Sequence, residues 1–213
     1  MCGVIGYSGH ASTAALEALR TVLLESSIRG RHASGLAWHD GSGLQRVAQD
    51  GPMEALLADV DLWDMVQPNG RVVMIGHARY STSDLLFHQP LVAQGYALAH
   101  NGVISQADPS EWPARFGLHC EGRNDSELLL RALIAGLDPS ETFPRASVAA
   151  VWIDPSGALK WTRNGLRPLW SAQLGGGRTI ASTANILQRA GLEPYPVESW
   201  GPLDLQTTPW EMK

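Results

Sequence analysis

Glycine and proline punctuate this chain from end to end, and that limits it to short elements. Among 213 residues there are 22 Gly and 13 Pro, the punctuation of a domain with many short strands. Residues 4–7 read as a strand at the very start. Residues 12–26 read as a helix, because Leu16, Leu19 and Leu23 share one face and Ser12 is a suitable N-cap. Residues 35–39 and 44–48 read as a hairpin around Asp40-Gly41-Ser42-Gly43. Residues 53–59 are a short helix candidate. The unbroken apolar run 72–75 suits a strand buried on both faces. Residues 96–99 form another strand, and 125–135 a helix with Asn124 and Glu127 spaced as a capping box and Gly136 at its end. The pattern then turns to β at 148–153, 159–162, 169–174 and 178–181, with Gly175-Gly176-Gly177 as a hairpin loop. In 159–162, Leu159 and Trp161 alternate with Lys160 and Thr162, so that strand should carry one polar face. Residues 185–190 form a last short helix. This order points to an α+β chain in which two sheets share a core. It leaves the strand order of those sheets open.

Composition removes several function classes. The 44% apolar fraction supplies a core, and only 17% of residues are charged. The net charge of -5 lacks the basic footprint of a nucleic-acid binder, and Arg29-Gly30-Arg31-His32 is too short a cluster to supply it. No stretch reaches the roughly 18 apolar residues of a membrane span, and no basic-then-apolar leader opens the chain. A cytoplasmic protein is the expectation. Two cysteines, Cys2 and Cys120, cannot build a disulfide scaffold, and Cys120 reads as a structural thiol. None of the seven His has His-Glu-x-x-His spacing, so no metal is expected, and no cofactor is implied.

Cys2 carries the most chemistry. It follows the initiator Met and precedes Gly3, and removal of Met1 would leave a cysteine with a free α-amine. Such an amine has a reference pKa of about 7.7–8.0, so it can take the thiol proton near neutral pH. Nucleophile and base then come from one residue. Taken alone, a cysteine near a chain start is unremarkable, but the rest of the chain supplies what a thiolate needs. Arg79 follows the buried run 72–75, and its planar fork suits a carboxylate. Thr82 adds a hydroxyl. Asn101-Gly102 reads either as a turn or as an oxyanion hole built from an amide and a backbone N–H. Asp125 opens a helix, either as a cap or as the partner of a substrate ammonium. Together these groups describe a site for an α-amino acid with an acylated side chain, and glutamine fits.

The sequence resembles a class II glutamine amidotransferase domain of the N-terminal nucleophile hydrolase superfamily. The matches run in order. Met1-Cys2-Gly3-Val4-Ile5-Gly6 resembles the family's start, and Arg29-Gly30 with Ser34-Gly35 its Arg-Gly loop. His77-Ala78-Arg79-Tyr80-Ser81-Thr82 resembles the carboxylate-binding segment, followed by Gln89-Pro90. His100-Asn101-Gly102 resembles the oxyanion motif, Asn124-Asp125-Ser126-Glu127 the amine-binding segment, and Arg167-Pro168-Leu169 a late strand motif. The resemblance implies a four-layer αββα sandwich of two mainly antiparallel sheets over 1–213. It implies Cys2, Asn101 and Gly102 as catalytic residues and Arg79, Thr82 and Asp125 as substrate-binding ones. It also implies Arg29 as a frame for the nucleophile's pocket.

Four residues depart from the family pattern. His32 stands where an Asp is usual, Ser83-Asp84 replace a segment where Gly is common, and Thr183 replaces an acidic residue. Asp84 adds a negative charge near a carboxylate site, which motivates a γ-glutamyl amide as an alternative substrate. A non-catalytic regulatory domain of the same fold is a third reading, and the intact set Cys2, Arg79, Asn101, Gly102 and Asp125 argues against it. No acceptor domain is expected after the glutaminase-like part. Ammonia would therefore pass to a separate synthase or ligase partner.

Overall fold

A computed structural model describes residues 1–81 and 87–198. Strand β1 (Gly3–His10) leads into helix α1 (Thr13–Glu25). Ser12 caps that helix, its Oγ accepting from the Ala15 N–H at 3.2 Å. The predicted apolar face is buried, with Leu19, Val22 and Leu23 fully enclosed. Strands β2 (Ala33–His39) and β3 (Leu44–Asp50) form the expected hairpin, closing at His39↔Leu44. Helix α2 (Met53–Leu56) is shorter than predicted. Strand β4 (Arg71–Arg79) extends the apolar run by four residues at its C-terminal end. Then come β5 (Leu91–Ala93), β6 (Tyr96–Val103), α3 (Trp112–Phe116), α4 (Ser126–Ile134) and α5 (Pro139–Thr142). The chain ends in β7 (Ser147–Ile153), β8 (Leu159–Arg163), β9 (Trp170–Leu174), β10 (Gly177–Ala181), α6 (Ala184–Arg189) and β11 (Tyr195–Pro196).

Two antiparallel sheets result. One is ordered β11-β9-β10-β1-β4-β2-β3 and the other β5-β6-β7-β8. Three apolar clusters mark the layers. Leu19, Leu23 and Leu187 pack with Met74 and Leu36 between helices and the first sheet. Leu128, Leu129 and Trp112 pack with Val148 and Trp152 on the outside of the second. Between the sheets, Val4, Val73 and Ile75 meet Ala97, Ala99, Ala149 and Val151. This is the αββα sandwich. Strand β4 serves two cores with a period of two: Val72 and Met74 face the helices, Val73 and Ile75 the other sheet. In β8 the expected polar face is incomplete, because Thr162 is buried.

The ladder geometry positions the site. β1 and β4 pair from His10↔Arg71 to Gly3↔Ala78, so the start of β1 lies at the end of β4. Two glycines permit close approaches there. A Cβ on Gly30 would lie 2.2 Å from the Arg79 carbonyl carbon, and one on Gly35 would lie 2.2 Å from the Gln89 carbonyl oxygen. Backbone cannot yield as a flexible side chain can. Gly30→Ala is therefore expected to destabilise the fold by about 1–3 kcal/mol. Gly43→Ala, where a Cβ meets nothing within 4 Å, should stay within about 0.5 kcal/mol. Urea denaturation of the two variants checks the contrast.

Candidate active site

Cys2 sits one residue before the last β1–β4 rung. Its thiol faces the Tyr80 carbonyl, with Sγ 3.8 Å from that oxygen. Its backbone N–H donates to Asn101 Oδ1 at 3.3 Å. Arg29, just past the turn after α1, reaches the Cys2 carbonyl with Nε at 3.5 Å. Burial lowers the Arg29 guanidinium from its ordinary value; a thiolate at Cys2 opposes this and Arg167 adds to it. Cys2, Arg79, Asn101, Gly102 and Asp125 all line one cleft of about 460 Å³. Two larger clefts, of about 810 and 830 Å³, contain none of these five residues.

Each side chain is held by its neighbours. Asn101 is buried near the end of β6, and its Nδ2 has no partner among the described residues. That leaves an amide donor at the cleft beside the thiol. Gly102 follows, where a Cβ would lie 1.8 Å from the Ser147 carbonyl oxygen; only glycine lets β6 and β7 pair at this rung. Arg79 is 7% exposed, and its guanidinium donates to the Phe87 carbonyl. Asp125 does not cap α4 with its side chain. Its Oδ2 instead accepts from the Ile104 and Ser105 N–H groups at 2.6 and 3.2 Å. The predicted capping box is also rerouted. Glu127 accepts from the Glu121 and Gly122 N–H groups and pairs with Arg131, while Asn124 accepts from Ser126.

A buried polar network backs the cleft. Gln89 Oε1 accepts from the His100 N–H at 2.6 Å, and Gln89 Nε2 donates to Ser126 Oγ at 3.1 Å. His100 Nδ1 lies 2.9 Å from the same hydroxyl. Burial lowers His100, against the pull of Asp125. Burial pushes His77 down to about 3, helped by the charge of Arg79. Both imidazoles are therefore neutral walls rather than charges. Among the described residues, no cluster of three or more His, Cys, Asp or Glu could hold a metal.

No family model matches the chain. Curated relatives do. It is 32% identical to the glutamine–fructose-6-phosphate aminotransferase of Mycolicibacterium smegmatis over 167 residues, 71% of this chain and 26% of that protein. It is 32% identical to the amidophosphoribosyltransferase of Rhizobium etli over 142 residues, 62% of this chain and 27% of that one. The solved glutamine phosphoribosylpyrophosphate amidotransferase of B. subtilis, complexed with ADP and GMP, matches 93% of this chain and 46% of its own, with a TM-score of 0.69 at 21% identity. The chain belongs to the class II glutamine amidotransferase domains. Its sandwich is the N-terminal nucleophile hydrolase fold of that enzyme family. It spans about a quarter of the length of these two curated relatives.

Within this amidotransferase domain, five of the seven residues singled out by sequence meet in one cleft. Arg29 lies behind it, on the Cys2 backbone. Thr82 lies outside the described residues, as do Ser83 and Asp84. Sequence reasoning assigned no site role to Arg167, which lines the cleft and donates to Ser147 Oγ at 3.3 Å. Its signal was the Arg167-Pro168-Leu169 motif. Burial, with Glu127 adding to it, pushes the Cys120 thiol up to about 11.

The depressed His77 has a sign that can be checked. The unfolded chain takes up a proton at this imidazole below its ordinary value of about 6.5, and the folded chain does not until about 3. Stability should therefore fall as pH drops from about 6.5. Between pH 6 and pH 5, His77→Gln should flatten the dependence of unfolding free energy on pH by up to about 1.4 kcal/mol per unit. Urea titrations of both proteins at stepped pH test this.

Proposed function

We propose that this domain hydrolyses the side-chain amide of glutamine to glutamate and ammonia through a Cys2 thioester. Ammonia then passes to a synthase partner in the cytoplasm. The single observation that carries the reading is the shared cleft. A thiol, an amide with no partner for its nitrogen among the described residues, a guanidinium and a carboxylate belong to residues that line it together. Among the described residues, no helix is long and apolar enough to cross a membrane.

The mechanism follows from these groups. Removal of Met1 frees the Cys2 nitrogen, which lies 3.3 Å from Asn101 Oδ1. That contact orients the amine while leaving its lone pair for the thiol proton. The thiolate attacks the side-chain carbonyl carbon of glutamine. Charge develops on the carbonyl oxygen, and Asn101 Nδ2 with the Gly102 N–H stabilises it. The Cys2 ammonium returns its proton to the departing nitrogen, and ammonia leaves a glutamyl thioester. The amine then takes a proton from water, hydroxide adds to the thioester, and glutamate departs as the thiol is reprotonated. Arg79 takes the α-carboxylate and Asp125 the α-ammonium. Their bonds to the Phe87 carbonyl and to the 104–105 backbone hold them in fixed orientation.

The mature active protein should begin at Cys2, as intact mass will reveal by the loss of one methionine. Cys2→Ala should abolish turnover while leaving the denaturation midpoint near wild type. Arg79→Lys should raise KM for glutamine roughly tenfold, through loss of the two-pronged carboxylate bond. Turnover of a γ-glutamyl amide with glutamine untouched would overturn the substrate assignment.

A further inference from the structure

The segment 79–81 carries two groups of the proposed site: the Arg79 guanidinium and the Tyr80 carbonyl that faces the Cys2 thiol. One residue clasps both ends of that segment. The His32 N–H donates to the Arg79 carbonyl at 3.0 Å, and the Ser81 N–H donates to His32 Nδ1 at 3.0 Å. Between these bonds the His32 ring stacks on the Tyr80 ring, with centroids 5.0 Å apart and planes at 28°. The Tyr80 carbonyl thus projects from a tripeptide whose two flanks are fixed by the same histidine.

We propose that His32 is a positioning residue. As a neutral imidazole it holds the 79–81 segment against the start of β2, so that the thiol contact of Tyr80 is made only while Nδ1 carries no proton. This deepens the glutaminase reading and rests on it for its effect on turnover. The physical reason is the acceptor. An N–H donor requires a lone pair on Nδ1, and a protonated imidazole has donors at both nitrogens. Histidine is also the side chain whose charge ordinarily changes between pH 5 and 8. Protonation would set two N–H groups against each other and release Ser81. The charged and titratable groups on the elements around the His32 segment are largely committed elsewhere. Arg31 pairs with Glu54 of α2 at 2.7 Å, Asp50 of β3 pairs with His88 at 3.0 Å, and Arg79 of β4 binds the Phe87 carbonyl. Tyr80 meets the ring as a stacked neighbour.

Two variants of the full chain separate the acceptor from the stack. His32→Asn keeps an acceptor oxygen near the place of Nδ1 and cannot titrate. His32→Phe keeps the stacking ring and removes the acceptor. Amide exchange of Ser81, followed by NMR against pH beside the His32 ring signal, reads the clasp without reference to any substrate. In the wild type, Ser81 protection should fall as His32 protonates. It should be independent of pH in His32→Asn, and about fivefold lower at neutral pH in His32→Phe, the loss of one net hydrogen bond. The profile of kcat/KM for glutamine should lose its His32-linked acid limb in His32→Asn and drop about fivefold at neutral pH in His32→Phe. Ser81 protection that ignores His32 titration, or survives in His32→Phe, overturns the clasp. A clasp verified by exchange with an unchanged acid limb in His32→Asn overturns its role in turnover. A wild type that leaves glutamine untouched counts against the glutaminase assignment, while Ser81 exchange still decides the clasp.

Discussion

The antiparallel ladder between β1 and β4 brings the first reactive side chain of the sequence to its partners. It runs through eight rungs, and the last, Gly3↔Ala78, delivers Cys2 to the Arg79-Tyr80 peptide. Cys2 is thereby fixed beside two strands that are buried along most of their length. Both strands feed the inter-sheet core from the same sheet: Val4 from β1, Val73 and Ile75 from β4. Apolar burial on both faces of β4 thus sets the position of a polar group beyond its end.

The second sheet brings Asn101 to the cleft. Ala97, Ala99 and Ala149 face the first sheet, and small side chains let β6 and β7 approach it. Asn101 is then within hydrogen-bond reach of the Cys2 nitrogen. The Gln89–His100–Ser126 network lies behind, ties the end of β6 to the start of α4, and satisfies buried polar atoms that would otherwise be costly. Asn101 Nδ2, by contrast, has no partner among the described residues, and the proposed mechanism assigns it to the substrate oxygen.

Much of this was legible in the sequence, for reasons tied to local physics. The three-to-four residue spacing of Leu16, Leu19 and Leu23 specifies a helix face, and the run 72–75 a doubly buried strand. Motif order recovered the αββα layers and five residues that share the cleft. What failed were readings that treated a local pattern as a local bond. Asn124 and Glu127 have capping-box spacing, yet Glu127 finds the Glu121 and Gly122 amides and Arg131. Asp125 looks like a helix cap, yet it bonds to the backbone that leaves β6. Thr162 alternates with apolar neighbours, yet it is buried. For Glu127 and Asp125 the competing partners lie in loops, and for Thr162 burial comes from tertiary packing; spacing along the chain carries no information about either. Arg167 and the His32 clasp were hidden for the same reason. Their partners are 20 or more residues away.

The central question is whether the sulfur of Cys2 is the atom that attacks a glutamine-like carbonyl. A diazo-ketone analogue of glutamine, incubated with the intact protein and followed by peptide mass mapping, tests that directly. One adduct should form, on a Cys2 that has lost Met1; glutamine should protect it and Cys120 should stay unmodified. An absence of adduct on folded, processed protein, or labelling of Cys120 in place of Cys2, would contradict that role for Cys2.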